Sequence, residues 1–486
     1  MVNPHWQHSS FSAIFTNPKV SPVTEPKEST TKRSFKLGKR GKVILGASLA
    51  ILILISCFAF YPRENKTISA TPQPSIEPDA APSSNTTVTS TATPKPPPNI
   101  VDQIIDTITD AVTDDSYMIV KNSQNINSTT WEKIAAYAWN YFEKQVDPET
   151  GLPGSSGEFS AFTDWDLGVY IQAIIDAQTI GTIDKNGTSG STARIEKVLT
   201  FLETRELNST THYPYWFYTS KGENYKENSD KAIGVDVVDT GRLFVALNNL
   251  KNFDTNLETR IDNFVHNVYG NRSNYAALVP GIKAECQSSD SIYTYFYASG
   301  FASFWPQEMA NTPEIVLDNI LSSHTIPYGN TTVHEGRILT EPLFGALFDL
   351  NSPEKIETLV QEVYSAHETF YNQTGVYRAF GEGPSFGDWV YEWVVYGDRM
   401  WVIKTIDQTT IEMTPVTYIK TAFCFLALNN TAFSKNMVIH LEEAFPVSYL
   451  GYHNGIDESG NKLPGGVSIH ANGLILGAAK YAIQHG

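Results

Sequence analysis

Hydrophobic positions recur with helical spacing along most of the chain beyond residue 130. Twelve segments show this periodicity, whereas strand-like alternation is scarce. They cover residues 131–146, 163–181, 190–207, 235–252, 256–269, 290–304, 313–323, 340–350, 353–372, 413–430, 432–445 and 467–485. Because the helices do not alternate with strands, the pattern predicts an all-α domain.

Alternate segments differ in character. Every second segment is apolar throughout and has a small residue early in the helix. These small residues are Gly168, Gly241, Gly300, Gly345, Ala422 and Gly473. A small residue lets neighbouring helices approach closely, as crowded inner packing requires. The other six segments are amphipathic, as in residues 352–371. Apolar inner helices surrounded by amphipathic outer helices predict an (α/α)6 barrel, or toroid, of six helical hairpins.

The links that lead into the apolar helices are often long, aromatic and acidic. Residues 208–234, 270–289 and 373–412 are the clearest examples. Long ordered loops in a compact domain are usually functional. In a barrel of hairpins these loops all fall on one rim, around the N-terminal ends of the inner helices, so we expect the functional site there.

The first part of the chain predicts a membrane anchor. Residues 43–61 form an uncharged run of nineteen residues, and a helix needs roughly 20 apolar residues to cross a bilayer. A cleaved signal peptide would have a shorter apolar run nearer to Met1. Residues 1–42 contain eight Lys and Arg against two Glu. Basic flanks stay on the cytoplasmic side, so the pattern predicts a cytoplasmic N-terminus and an extracytoplasmic C-terminal domain.

Residues 62–115 are expected to form a stalk and lead-in, because the part up to residue 99 is rich in Pro, Ser and Thr and poor in large apolar residues. The folded domain then covers residues 116–486. Nine N-glycosylation sequons lie on the predicted outer side. The chain carries a net charge of −17, which argues against nucleic acid as a partner. The lipid bilayer is expected as a partner through residues 43–61.

Three segments resemble a known family. They are DPETGLPG at residues 147–154, FTDWDLGVYIQAIIDAQTIG at residues 162–181, and VDVVDTGRLFVALNNL at residues 235–250. Together they resemble the domain-of-unknown-function family DUF3131, which is similar to the six-hairpin glycosidase superfamily that includes glucoamylases and β-1,2-glucanases. The resemblance covers most of residues 130–486. It implies a fold and a carbohydrate-active protein, but no particular reaction.

Glycoside hydrolysis needs a protonated carboxylic acid and a second carboxylate. The densest set of carboxylates lies in EGPSFGDWVYEWVVYGDRMW, residues 382–401, where aromatic residues separate them. Aromatic rings stack on sugars, and an apolar setting raises a carboxyl pKa toward general-acid work. We predict Glu392 as the acid, with Asp388 or Glu382 as its partner. Alternatively, the aromatic residues are core and the carboxylates are helix caps or ion-pair partners of Arg378 and Arg399.

Further rim residues are predicted to bind substrate. They are Trp165, Asp166, Asp239, Arg242, Trp216, Glu341, Trp389, Trp393 and Tyr396. Asp166 and Asp239 each stand two residues before the small residue of an inner helix, so both are alternatively interpreted as helix caps. The aromatic run around Trp216 is alternatively a hydrophobic lid.

These residues favour a glycoside hydrolase or transglycosylase that acts on an extracellular polysaccharide or an envelope glycan. A non-catalytic glycan-binding or surface-scaffold protein and a polysaccharide lyase are the alternatives. No HExxH, paired CxxC or phosphate-binding loop occurs in the sequence, so neither a metal nor a cofactor is expected.

Overall fold

The computed structural model describes residues 117–225, 236–350, 354–385, 388–463 and 466–486. The predicted basic tail, the membrane helix at 43–61 and almost all of the stalk at 62–115 lie outside these ranges. Within the described ranges, no helix is both long and apolar enough to cross a membrane.

Twelve principal helices form the described part of the domain, in six consecutive hairpins. The outer helices are α1 (Ser128–Gln145), α3 (Ser191–Thr204), α5 (Glu258–Val265), α7 (Thr312–Leu321), α9 (Glu354–Thr374) and α11 (Ala432–Ala444). The inner helices are α2 (Asp164–Thr179), α4 (Val237–Phe253), α6 (Ile292–Phe304), α8 (Thr340–Asp349), α10 (Ile419–Leu428) and α12 (Ile469–His485). Two shorter helices, Val279–Cys286 and Pro306–Met309, lie in the connections.

The even-numbered helices form the inner ring, as the sequence predicts. In α2, 14 of 16 residues are buried, whereas in α1 only 8 of 18 are buried, so α1 has a solvent face and α2 does not. Each inner helix packs against the next, and α12 packs against both α1 and α2, which closes the ring. Apolar side chains from all six hairpins share one core.

The small residues of the inner helices allow these close contacts. A Cβ atom on Gly300 in α6 would lie 2.1 Å from the carbonyl oxygen of Gly241 in α4. No side chain fits at that distance, so the two backbones meet directly. The small-residue pattern in the sequence is therefore explained by inner-ring packing.

Among the described residues, eleven short strands lie between the helices. They are β1 (Ala161–Phe162), β2 (Tyr218–Thr219), β3 (Thr325–Tyr328), β4 (Thr331–His334), β5 (Gly336–Ile338), β6 (Glu382–Ser385), β7 (Asp388–Gly397), β8 (Arg399–Thr405), β9 (Thr410–Ile411), β10 (Val416–Tyr418) and β11 (Gly455–Asp457). Strands β5 to β9 form a five-stranded antiparallel sheet around β7. The expectation of a purely helical domain is wrong for this part of the predicted loop 373–412.

The sequence pattern did not predict this sheet because β7 is apolar on both faces. Trp393 and Val395 are buried on one face, and Val390 and Val394 are buried on the other. A strand covered on both sides shows a continuous apolar run rather than alternation. The β-branched and aromatic content of the run was the available signal.

Residues just before α1 are fastened to the last hairpin. The carboxylate of Glu442 in α11 accepts hydrogen bonds from the backbone N–H groups of Val120 and Lys121, both at 2.9 Å. Lys435 in the same helix donates to the carbonyl of Ser123 at 3.2 Å. We call these contacts the Glu442 clamp.

Candidate functional site

The N-terminal ends of the inner helices carry a buried network of charged side chains. Glu341, in the first turn of α8, is its centre. Its Oε1 atom contacts Nδ1 of His470 at 2.8 Å, and its Oε2 atom accepts a hydrogen bond from Nζ of Lys420. Three inner helices, α8, α10 and α12, therefore meet at one carboxylate.

His470 also contacts a second carboxylate. Its Nε2 atom lies 2.9 Å from Oδ1 of Asp166 in α2. Burial alone would lower the pKa of His470, but Glu341 and Asp166 reverse that effect and raise it to about 10. The imidazole is therefore a cation at neutral pH, held between two carboxylates on opposite sides of one ring.

Asp166 caps helix α2 and also contacts the charged network. Its Oδ2 atom accepts a hydrogen bond from the backbone N–H of Thr163 at 2.9 Å, and the Thr163 side chain caps the helix in return. Its Oδ1 atom faces His470. The capping interpretation is confirmed for Asp166, and the same side chain also belongs to the network.

Glu382 is the carboxyl group of the network that holds a proton. It lies on β6, is 2% exposed, and its Oε2 atom is hydrogen-bonded to the hydroxyl of Tyr293. Burial and the nearby charge of Glu341 raise the pKa of Glu382 to about 8. For Glu341, burial opposes ionisation, but Lys420 and His470 hold its pKa well below the usual range. Two neighbouring carboxyl groups thus have pKa values driven in opposite directions.

We call Asp166, Tyr293, Glu341, Glu382, Lys420 and His470 the rim network. Three of its members are carboxyl groups and two are cations, so the proton on Glu382 keeps its charge balanced.

Asp239 lies next to this network, in the first turn of α4. It is half-buried, and burial together with its neighbour Asp236 raises its pKa well above the usual value. The cap of α4 is Asp236, whose carboxylate accepts hydrogen bonds from the N–H groups of Val238 and Asp239. The predicted capping role therefore belongs to Asp236, three residues before Asp239.

Glu392, the predicted acid, points away from the rim network. On β6 and β7, Glu382 is paired with Tyr391, and paired residues share one face of a sheet. Glu392 follows Tyr391 and so faces the other side. It is fully buried, accepts a hydrogen bond from the N–H of Val416 at 2.9 Å, and burial raises its pKa well above the usual range.

Of Asp388, the other predicted catalytic residue, the structure describes the backbone, which pairs with Ser385. The catalytic assignments of Glu392 and Asp388 stay predictions. Arg378, which the alternative interpretation paired with these carboxylates, instead pairs with Glu458 at 2.6 Å.

The predicted aromatic residues fall into two groups. Trp165 and Trp393 pack on Tyr293, with ring centroids at 5.7 and 6.1 Å, and Trp389 packs on His470 at 5.2 Å. These three rings surround the rim network. Tyr396 is one step removed, packed on Trp393 at 5.4 Å.

Trp216 and Arg242 lie elsewhere. Trp216 packs on Phe217 at 4.6 Å, in an aromatic cluster that also contains Phe159 and Tyr225. Arg242 pairs with Asp349 at 3.2 Å, close to the C-terminal end of α8. Of the predicted binding residues, Glu341, Asp166, Trp165, Trp389 and Trp393 are therefore the ones that the fold brings to the rim network, with Asp239 beside them.

Three members of the rim network were missed as site residues. His470 was visible at a helix start, and Lys420 is the single charge in the apolar segment YIKTAFCFLAL. A lone Lys in a buried helix needs a carboxylate partner, which was the usable signal. Tyr293 stands in an aromatic run that offers no such signal. Among the described residues, no cluster of three or more potential metal ligands occurs.

A narrow cavity of about 30 Å³ lies under the rim network, along the axis of the barrel. Small-molecule sites usually have several hundred Å³. The described residues therefore leave space for small molecules of the size of water at this point, and a sugar ring does not fit.

The described residues form a helical barrel with buried carboxyl groups at its rim, and sequence comparison supplies the family. The chain belongs to the family of proteins of unknown function DUF3131, whose family model matches residues 133–485. No curated protein sequence matches it.

Several solved structures are similar to this chain. A provisionally assigned glucoamylase from Bacteroides uniformis has a TM-score of 0.50 at 12% identity, over 74% of this chain and 94% of that one. One from Bacteroides caccae has a TM-score of 0.49 at 13% identity, over 74% and 95%. An endo-β-1,2-glucanase from Chitinophaga pinensis has a TM-score of 0.48 at 13% identity, over 74% and 95%. At such identities the likeness concerns the fold alone, a helical barrel.

Proposed function

We propose that this protein is a glycoside hydrolase or transglycosylase that acts on an extracellular polysaccharide or an envelope glycan. The observation that carries the proposal is the pair of neighbouring carboxyl groups in the rim network. Glu382 holds its proton at neutral pH, with a pKa raised to about 8, and Glu341 is ionised. Carboxyl pairs whose pKa values are separated by their surroundings supply the acid and the base of glycoside hydrolysis.

In this proposal Glu382 donates its proton to the glycosidic oxygen, and Glu341 acts on the anomeric carbon or on the attacking water. Lys420 and His470 keep Glu341 ionised. Trp389, half-buried above His470, offers an aromatic surface for a sugar ring. Glu382 therefore takes the acid role that the sequence pattern assigned to Glu392.

The test compares two glutamines on opposite faces of the sheet. The full chain is incubated with a panel of glycans, including β-glucans and envelope polymers, and released reducing ends are measured. Glu382→Gln should lower turnover by about 10²-fold or more, since that is the usual contribution of a general acid. The matched control Glu392→Gln should leave turnover unchanged.

Turnover that survives in Glu382→Gln would refute the assignment of the acid. Product absorbance from an unsaturated sugar would instead indicate a polysaccharide lyase.

A second candidate is a glycan-binding or scaffold protein without catalysis. The burial of the rim network favours it, because Glu382 is 2% exposed and Glu341 is 5% exposed. A sugar reaches these groups only if the side chains above them move. Glycan binding by the parent chain without any released product would support this candidate.

We also propose that residues 43–61 anchor the protein in the cell membrane, with the folded domain on the extracytoplasmic side. The uncharged run and its basic N-terminal flank support this orientation. After cell fractionation the full chain should stay with the membranes in carbonate wash, and protease added to intact cells should cleave the domain. A variant without residues 43–61 serves as the control, and a full chain that washes off would refute the anchor.

A further inference from the structure

The axial cavity connects two ends of the inner ring. Trp165, Glu341 and His470 line the end near the rim network, and Asp176, Arg242 and Asp349 line the other end. Glu341 and Asp349 lie at the two ends of α8. The cavity therefore extends along the length of an inner helix.

A second charged network surrounds the lower end of the cavity. Arg242 in α4 pairs with Asp349 at 3.2 Å, and Lys480 in α12 pairs with Asp176 at 2.7 Å. Gln172 in α2 donates to Asp176 at 2.8 Å. We call these five residues the floor network. It has two cations and two carboxylates, so its charges balance.

Three residues on the cavity wall each have a buried polar atom without a hydrogen-bond partner among the described residues. They are Nε1 of Trp165, Nη1 of Arg242 and Oδ2 of Asp176. All three side chains are more than nine-tenths buried. Two of these atoms are donors and one is an acceptor, and leaving them unsatisfied is costly.

Water satisfies donors and acceptors together. A buried water needs roughly 10–15 Å³ of accessible space and two to four polar partners, so a cavity of about 30 Å³ has room for ordered water. We propose that the axial cavity binds a chain of ordered water molecules, which bond Trp165, Arg242 and Asp176 and form a proton path between the Glu341–His470 pair and Asp349.

The proton path rests on the proposed hydrolase function, whereas the water site does not. In an inverting reaction Glu382 protonates the leaving oxygen, and the attacking water gives a proton to Glu341 while its oxygen bonds to the anomeric carbon. Glu341 must then release that proton, and Glu382 must regain one from solvent. While a glycan covers the rim, the water chain carries the proton of Glu341 to Asp349, which is 7% exposed at the far end.

Asp349 is suited to receive a proton. Burial raises its pKa, which Arg242 opposes, and the result is about 6. Asp176 and Lys480 are the other charged groups that act on it. Asp349 is thus a positioning residue that acts through the water chain and does not touch the glycan.

The water site is tested without any activity measurement. In the full chain with ¹⁵N-labelled tryptophan, the indole N–H of Trp165, assigned with Trp165→Phe, should show magnetisation transfer from a long-lived internal water. Gly477→Ala should reduce this signal at least about twofold, because its Cβ would lie 3.3 Å from Phe348 and 3.6 Å from Asp176 and so occupies the cavity. Ala482→Ser, on the same helix but away from the cavity, should leave the signal unchanged.

Absence of a water signal at Trp165, or a signal that Gly477→Ala leaves unchanged, would overturn the water site.

For the proton path, Asp349→Asn keeps an oxygen for Arg242. It should lower kcat about tenfold without changing KM and should increase the solvent deuterium isotope effect on kcat. An unchanged kcat and isotope effect would overturn the path. If the parent chain turns over no glycan, both the proposed hydrolase function and the proton path are refuted. The water signal at Trp165 still tests the water site independently.

Discussion

The rim network and the floor network both bury charged side chains among the inner helices, yet they differ in charge balance. The floor network matches Arg242 and Lys480 with Asp349 and Asp176. The rim network has one carboxyl group more than it has cations, because Glu382 joins Asp166 and Glu341.

The difference separates a structural ion cluster from a candidate reactive site. A balanced cluster needs no extra proton, whereas an unbalanced cluster in a buried setting must bind one, and here Glu382 binds it. A proton held near neutral pH is available for transfer. The charge surplus therefore marks the rim end of the barrel as the end where chemistry is expected.

The largest expected effect on stability comes from removing the lysine of each network. Lys420→Met should lower the free energy of unfolding by about 3–5 kcal/mol, because Glu341 keeps a buried charge with only His470 to balance it. Lys480→Met should cost less, about 2 kcal/mol, since Asp176 keeps its bond from Gln172 and Lys480 is 14% exposed. Urea unfolding measures the free energy of unfolding of both variants. Equal losses would show that the two networks do not differ in this respect.

The pH dependence of stability should extend over a wider pH range at the rim than at the floor. The pKa of His470 is raised to about 10 in the folded protein, so the stability that it contributes is complete below about pH 6.5 and is lost as the pH rises to about 10. The slope in this window is at most about 1.4 kcal/mol per pH unit for one proton. His470→Gln should flatten the curve of unfolding free energy against pH in this range.

The floor provides the control for that measurement. The pKa of Asp349 is raised to about 6 in the folded protein, so protonation of this carboxyl group stabilises the fold at low pH. This contribution is lost as the pH rises through 6. Asp349→Asn should therefore change the curve below about pH 6 and leave the window of His470 intact. If Asp349→Asn flattens the curve of unfolding free energy in both pH ranges, the titrations of the two networks are coupled.

The smallest effect should come from an ion pair outside both networks. Lys355 on the outer helix α9 lies 2.6 Å from Asp318 but is 38% exposed. Lys355→Ala should change the free energy of unfolding by less than about 1 kcal/mol, because solvent screens exposed pairs. A loss as large as that of Lys420→Met would mean that burial does not decide the importance of these pairs.

Helix positions were predictable because the inner helices have a strong apolar pattern. The segment predicted at 163–181 is observed as Asp164–Thr179, and the one predicted at 467–485 as Ile469–His485. The barrel architecture was predictable from the alternation of apolar and amphipathic segments. The strand β7 was not predictable by alternation, because both of its faces are covered.

The site was only partly predictable because its contacts join distant parts of the chain. Glu341 is 79 residues from Lys420 and 129 from His470. Sequence patterns placed Glu341 and His470 near helix starts on one rim, but ring closure decides which residues touch. The prediction of Glu392 took no account of the register of β6 against β7, which places Glu382 at the rim network and Glu392 on the opposite face.

The Glu442 clamp determines how mechanical load enters the domain. For a domain tethered through its N-terminus as proposed, drag from the surroundings pulls on the chain just before α1. The clamp bonds this part of the chain to α11, so the load is divided between the first and last hairpins. Those hairpins meet where α12 packs on α1. Tension on the tether therefore acts on α1 and α11 together, on both sides of the α1–α12 contact that closes the ring. It does not separate α1 from this contact.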